Sequence, residues 1–142
     1  MNASETLATI LAQFDCQTGT LHAIDPKTER LTLLAHQGIP EFLLDKINDI
    51  PVGKGIAGCA AQRGEPVQMC NLQTDTSGVA RPDAKMTQVE GALAVPIFDA
   101  YEAVIGVLGI GKMKPYDFTD EEISAVEAVA KSISSDLQQH MA

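Results

Sequence analysis

Residues 92–113, ALAVPIFDAYEAVIGVLGIGKM, decide how the rest of this chain is read. Two apolar runs, 92–99 and 103–113, flank a tight AYE connection, and Val, Ile and Leu recur in both. Such side chains fit a pleated surface, so the segment predicts a β-hairpin. The second run is apolar at successive positions rather than alternate ones, which predicts a central strand covered on both faces. A sheet is therefore expected at the middle of the fold, with the flanking segments supplying its other strands and its covers.

Working outward, residues 19–25 (GTLHAID) and 30–38 (RLTLLAHQG) read as a second hairpin turning at PKTE, with Leu31, Leu33 and Ala35 sharing one face. Before it, Ser4 caps a predicted helix whose apolar positions Leu7, Ile10, Leu11 and Phe14 lie on one side. Residues 40–48 (PEFLLDKIN) are helical in pattern, and residues 65–72 (EPVQMCNL) are a further strand candidate. Residues 73–91 form a polar stretch without periodicity, and loops of that length in a compact domain usually carry function. The closing FTDEEISAVEAVAKSISSDLQQHM opens with a capping box, Thr119 and Glu122, ahead of a long helix. The order implies an α+β sandwich around a mainly antiparallel sheet of five to six strands.

A chain of 142 residues with 45% hydrophobic content fits one domain, 1–142, able to bury a core of its own. Its net charge of −9 opposes nucleic acid and anionic membrane as partners. No apolar run reaches the roughly 18 residues of a membrane span. The opening MNASETLATILAQF lacks a basic signal-like region, so the expected location is cytoplasmic. Cys16, Cys59 and Cys70, an odd number outside any C-x-x-C pair, are expected to be reduced thiols. His22, His36 and His140 stand at unrelated spacings, so no zinc pattern can be drawn, and no metal or cofactor is expected.

Residues 50–67, IPVGKGIAGCAAQRGEPV, contain Gly53, Gly55 and Gly58 in the G-x-G-x-x-G spacing of a dinucleotide cradle. That motif is informative only where a buried strand runs into it, a helix leaves it and an acidic residue follows about 20 positions on. A short Ala-rich helix stopped by Gly64 is expected to leave it, and Asp75 stands at a suitable distance. The approach is wrong, because Phe42, Leu43, Ile47 and Ile50 recur at near-helical spacing and only residues 49–52 could be extended. The glycines are better read as turn chemistry.

Taken together, the glycine turn, the VPI…IGVLGI hairpin and the FTDEE helix start resemble a GAF domain, a small-molecule-sensing module related in shape to PAS domains. The resemblance spans nearly the whole chain. It implies terminal helices on one face of the sheet, and a short helix plus long loop covering a pocket on the other. It also implies a small polar or anionic ligand and a signalling partner protein, with the glycine turn as scaffold. GAF domains commonly dimerise through terminal helices. Here Ile123, Val126, Ala130, Ile133 and Leu137 follow a 3-4-3-4 seam that, beside the stripe of the first helix, suggests a homodimer.

Within that frame, Val79, Arg81 and Asp83 of the VARPD stretch are the ligand-binding candidates, since a guanidinium fork suits carboxylate or phosphate. Gln68 and Cys70 alternate on one strand face and are expected to point toward the pocket. Cys59 reads as a buried hydrophobe, His36 as a satisfied or exposed histidine, and Lys54 as a solvated group. Asp117, Asp120, Glu121 and Glu122 serve helix initiation. A sensor without catalytic residues is the expectation. One alternative is a thiol enzyme similar to free methionine-R-sulfoxide reductases. Those resemble single GAF domains with cysteines in the turn and the loop, where this chain has Ala57 and the neighbourhood of Arg81. Another is a dimerisation module with no ligand.

Overall fold

The computed structural model describes residues 2–69 and 90–141. Helix α1 (Ala3–Gln13) leads into a hairpin of β1 (Thr18–Asp25) and β2 (Arg30–Gln37). A 3₁₀ turn (Glu41–Leu43) and the single turn α2 (Leu44–Ile47) follow, then β3 (Asp49–Pro51), α3 (Gly55–Arg63) and β4 (Val67–Met69). The hairpin β5 (Gly91–Phe98) and β6 (Val104–Lys112) precedes α4 (Asp120–Ser132) and α5 (Ser134–Met141). The strands form one antiparallel six-stranded sheet in the order β3-β2-β1-β6-β5-β4. The run that was apolar throughout, β6, is indeed central, paired with both β1 and β5.

Local chemistry sets the element ends. Asn2, not Ser4, caps α1: its side-chain oxygen accepts from Glu5 N–H, and Ser4 lies inside the helix. The Thr119–Glu122 capping box is present in both directions. The expected single C-terminal helix breaks at Ile133, where the Ser132 hydroxyl donates to the Val129 carbonyl and competes with the helical ladder. In β2 the pairing shifts between Leu21 and His22, leaving Leu34 as an extra residue. This bulge separates Leu31 from Ala35, which pack on opposite faces of the sheet instead of sharing one.

One face of the sheet carries both terminal segments. Leu7, Ile10 and Leu11 from α1 join Val126, Ala130, Ile133 and Leu137 from the C-terminal helices in a single buried cluster, over Leu21, Val95 and Leu108. The 3-4-3-4 seam that suggested a homodimer is thus occupied by the chain's own sheet, because one twisted face covers both stripes. A homodimer would have to be built from other surfaces. The opposite face carries α3 over Leu31, Val67, Ala94 and Val107.

Candidate functional site

The glycine turn has its own structural reasons. Gly53 (φ +96°) and Gly55 (φ +68°) adopt left-handed backbone that steers the chain from β3 into α3. Gly58 lies so close to β3 that a Cβ there would stand 2.7 Å from the Pro51 carbonyl oxygen. Gly53 N–H donates to Gly58 O (2.8 Å) and Lys54 N–H to Pro51 O (3.1 Å), so these amides are engaged within the turn and not turned out to a phosphate. The Lys54 side chain is exposed, and the buried Cys59 thiol donates to Gly53 O at 3.7 Å. The turn thereby fixes α3 against the sheet as a wall.

Beside that wall, small residues on the central strands leave a part-exposed hollow at Thr20 and Gly109. Gly19 faces α1, where an added Cβ would meet Leu11, and Leu21 lies in the helix-side core, so the alternate residues Thr18, Thr20 and His22 face the α3 side. Their neighbours on β6 and β5 are Val107, Gly109, Gly111, Ala92 and Ala94, mostly the smallest side chains available. Thr20 pairs with Gly109 across the two central strands, and both are part-exposed although they lie mid-sheet. The other face is packed with helices, so the access is from the α3 side. A Cβ at position 109 would stand 2.8 Å from the Thr20 hydroxyl oxygen, which means that the missing side chain shapes this floor.

One step along β1 from Thr20, His22 is only 1% exposed. Its Nε2 lies 2.8 Å from the Ile47 carbonyl oxygen. A carbonyl can only accept, so Nε2 carries the proton and Nδ1 holds a bare lone pair in the neutral ring. Burial pushes the imidazole pKa below its ordinary 6.5, against the opposing pull of the Ile47 bond. Among the described residues Nδ1 is the one buried side-chain nitrogen or oxygen without a hydrogen-bond partner. An acceptor left so costs about 1–3 kcal/mol, which a folded chain carries only where something fills the gap or function needs it.

Of the ligand-binding residues expected from sequence, Gln68 lies among the described residues. Gln68 pairs with Leu93 and faces the helix side of the sheet. Its amide is engaged with the Phe118 backbone: Nε2 donates to Phe118 O (3.4 Å) and Phe118 N–H donates to Oε1 (3.1 Å). It therefore anchors the start of α4 and does not look into the α3-side hollow, because strand alternation puts Val67 there instead. Cys70, Asp75, Val79, Arg81 and Asp83 lie outside the described residues. His36 is exposed. Glu122 takes part in the capping box and accepts from the Tyr116 hydroxyl (2.6 Å); the Thr119 backbone and that hydroxyl hold its carboxyl below the usual range. Cys16 is buried, and burial pushes its thiol up to about 11, far from a nucleophile's value. A groove of about 830 Å³ runs between the β5–β6 turn and the C-terminal helices, past Phe98, Glu102, Glu127 and Lys131. Its charged side chains are solvated, and no orphaned polar atom among the described residues lines it.

The fold is that of an α+β module built on one six-stranded antiparallel sheet with helices on both faces. The GAF domain model matches residues 3–137, and the chain belongs to the GAF domain family. Its structure is similar to the GAF domain of an Acinetobacter phosphoenolpyruvate-protein phosphotransferase (TM-score 0.76, 18% identity, covering 94% of this chain and 77% of that one). It is also similar to the free methionine-R-sulfoxide reductase of Neisseria meningitidis in complex with its substrate (0.76, 20%, covering 98% and 78%). A third likeness is to a domain assigned to a two-component sensor histidine kinase of Sinorhizobium meliloti (0.74, 17%, covering 97% and 89%). At these identities the likeness is one of fold. Comparison with curated protein sequences gave no match.

Thr20, His22 and Gly109 were missed by reasoning from sequence alone. The available signal was a histidine set between apolar neighbours in LHA, in phase with Thr20, which as a lone residue reads as an ordinary core histidine.

Proposed function

We propose that this GAF domain is a non-enzymatic sensor that binds a small polar molecule over the central strands, on the α3 side of the sheet, and passes its bound state to a partner protein. The observation that carries the reading is the part-exposed Thr20–Gly109 pair in mid-sheet, flanked by the small buried residues Gly111, Ala92 and Ala94 and by a buried, incompletely bonded histidine. A domain core would fill such a place with branched side chains, and small residues there leave room for a guest. The likeness to a sensor kinase domain supports the signalling half. So does the placement of both terminal helices on the face opposite the hollow, where ordering of the sheet on binding can reach them.

The reductase reading is weaker. The Neisseria enzyme shares the fold, yet here the turn position is Ala57, while Cys16 and Cys59 are buried thiols. Native mass spectrometry of freshly purified protein, followed by a thermal-shift screen of amino acids, amides, nucleotides and small anions, tests the sensor reading. A ligand that binds only the folded state raises the melting temperature, by an amount set by its concentration over Kd. If nothing co-purifies and no compound shifts the melt, the domain is a structural module.

A further inference from the structure

We infer that His22 Nδ1 is a built-in acceptor that selects ligands carrying an N–H or O–H donor over ligands that only accept. The inference rests on the sensor reading above and narrows it. Nε2 is committed as a donor to the Ile47 carbonyl at 2.8 Å, which fixes the tautomer and leaves Nδ1 bare. The ring is 1% exposed, and Nδ1 has no partner among the described residues. Its residue shares the α3-side face with Thr20, two positions away, and pairs with Val107 two positions from Gly109, so it borders the part-exposed floor. Burial disfavours the imidazolium, so this nitrogen stays an acceptor near neutral pH. A hydroxyl of Thr20 can donate or accept, but a bare imidazole nitrogen can only accept. A ligand that brings a donor removes an unmet hydrogen-bonding group from the interior. A ligand without an N–H or O–H would leave that group unmet, whether it presents a trimethylammonium there or, like nitrate, sets lone pair against lone pair.

The recognised class is therefore small amides, primary amines, amino acids or alcohols. Two matched pairs of probes isolate the donor: acetamide with N,N-dimethylacetamide, and glycine with its N-trimethyl analogue betaine. Each pair keeps the carbonyl or carboxylate acceptor and removes the N–H groups. The measurement is the long-range ¹H–¹⁵N spectrum of protein labelled at histidine nitrogen, read together with backbone amide shifts of Val107, Gly109 and Gly111. The expected result is a His22 Nδ1 resonance typical of a free lone pair in the unliganded protein. It should move toward the hydrogen-bonded value with acetamide or glycine, and the methylated partner of that probe should bind about tenfold more weakly.

His22→Gln, whose amide can replace the Nε2 donor to Ile47 but offers no acceptor at the Nδ1 position, should keep the fold and lose the preference within the pair. If the backbone amides respond but Nδ1 does not, or responds equally to both members, the acceptor role is overturned while the hollow stands. If Nδ1 is already hydrogen-bonded without probe and stays so, an internal water fills the place and the role is again overturned. If neither Nδ1 nor the amides respond to any of the four, the hollow and the acceptor role fall together.

Discussion

The two faces of the sheet are built to opposite specifications. The helix-bearing face interlocks leucine, isoleucine and valine from α1, α4 and α5 with the same types from the strands, and its polar groups, such as the Gln68 amide on Phe118, are mutually bonded. The α3-bearing face sets a helix rich in glycine and alanine beside small strand residues, leaves Thr20 and Gly109 part-exposed, and holds an orphaned imidazole nitrogen. Close packing makes a rigid platform, whereas small residues and an unmet acceptor make a receptive one. On the proposed sensor reading, the contrast gives stability to the first face and recognition to the second.

The strongest way to break that assignment is to damage the helix side. Leu137 is fully buried, so Leu137→Ala should cost about 2–5 kcal/mol in urea denaturation through transfer loss and cavity formation. Ile133→Glu places a carboxylate in the same core and should unfold the domain rather than merely separate subunits, since Ile133 is covered by its own sheet. A folded Ile133→Glu protein, altered only in sedimentation, would return the seam to a dimer interface.

Next comes the floor of the hollow. Gly109→Val brings a branched side chain to a position where even a Cβ stands 2.8 Å from the Thr20 hydroxyl. Overpacking costs about 1–3 kcal/mol where the surroundings are closed, and less where, as here, the neighbour is a rotatable hydroxyl beside an opening. The variant should stay folded and lose the thermal shift given by any ligand of the parent protein. Retained ligand response in Gly109→Val would move the binding site elsewhere.

This contrast explains which parts of the molecule could be read in advance. The hairpin 92–113, the Thr119–Glu122 box and the glycine turn are decided by local chemistry, which sequence carries directly. The Asn2 cap, the break at Ile133 and the bulge at Leu34 depend on which of several competent residues wins its hydrogen bond, and periodicity does not decide that. The site was less legible still. Gln68 bonds the Phe118 backbone on the helix side of the sheet, and a three-residue strand offers no long alternation from which that phase could be read. Gly109 reads as strand punctuation until its cross-strand partner is known, and His22 gains meaning only when Ile47, 25 residues away in sequence, takes one of its nitrogens.

A smaller effect separates the faces by pH. The folded-state pKa of His22 lies below 6.5, so as pH falls through 6.5 the unfolded chain binds a proton that the folded chain resists. Stability from this group is therefore fully present above pH 6.5 and is lost as pH falls toward the folded value. Glu122, on the helix side, is held below its ordinary 4.5, so its contribution is lost only at still lower pH, as the folded-state carboxyl takes up its proton. Denaturation midpoints between pH 7 and about 5.5 should fall for the parent and stay flatter for His22→Gln. An equal fall in both proteins would detach the pH dependence from His22.

The smallest effect is expected at Cys59, which sits on the recognition side but is not part of its floor. Its thiol is buried in α3 and donates to the Gly53 carbonyl at 3.7 Å, a weak bond that helps hold the glycine turn to the helix. Cys59→Ala removes one sulfur from a helix already rich in alanine and should cost about 1 kcal/mol, with the ligand-induced melting shift intact. A reductase would behave otherwise: attack on a sulfoxide needs an accessible thiolate, and a second thiol to release the product as a disulfide. The parent protein should accordingly show no NADPH- and thioredoxin-coupled turnover of free methionine-R-sulfoxide, and neither Cys59→Ala nor Cys70→Ala should change that baseline. Turnover in the parent that either substitution abolishes would make the receptive face catalytic. The difference between the two faces would then be one of stability against chemistry, not of stability against recognition.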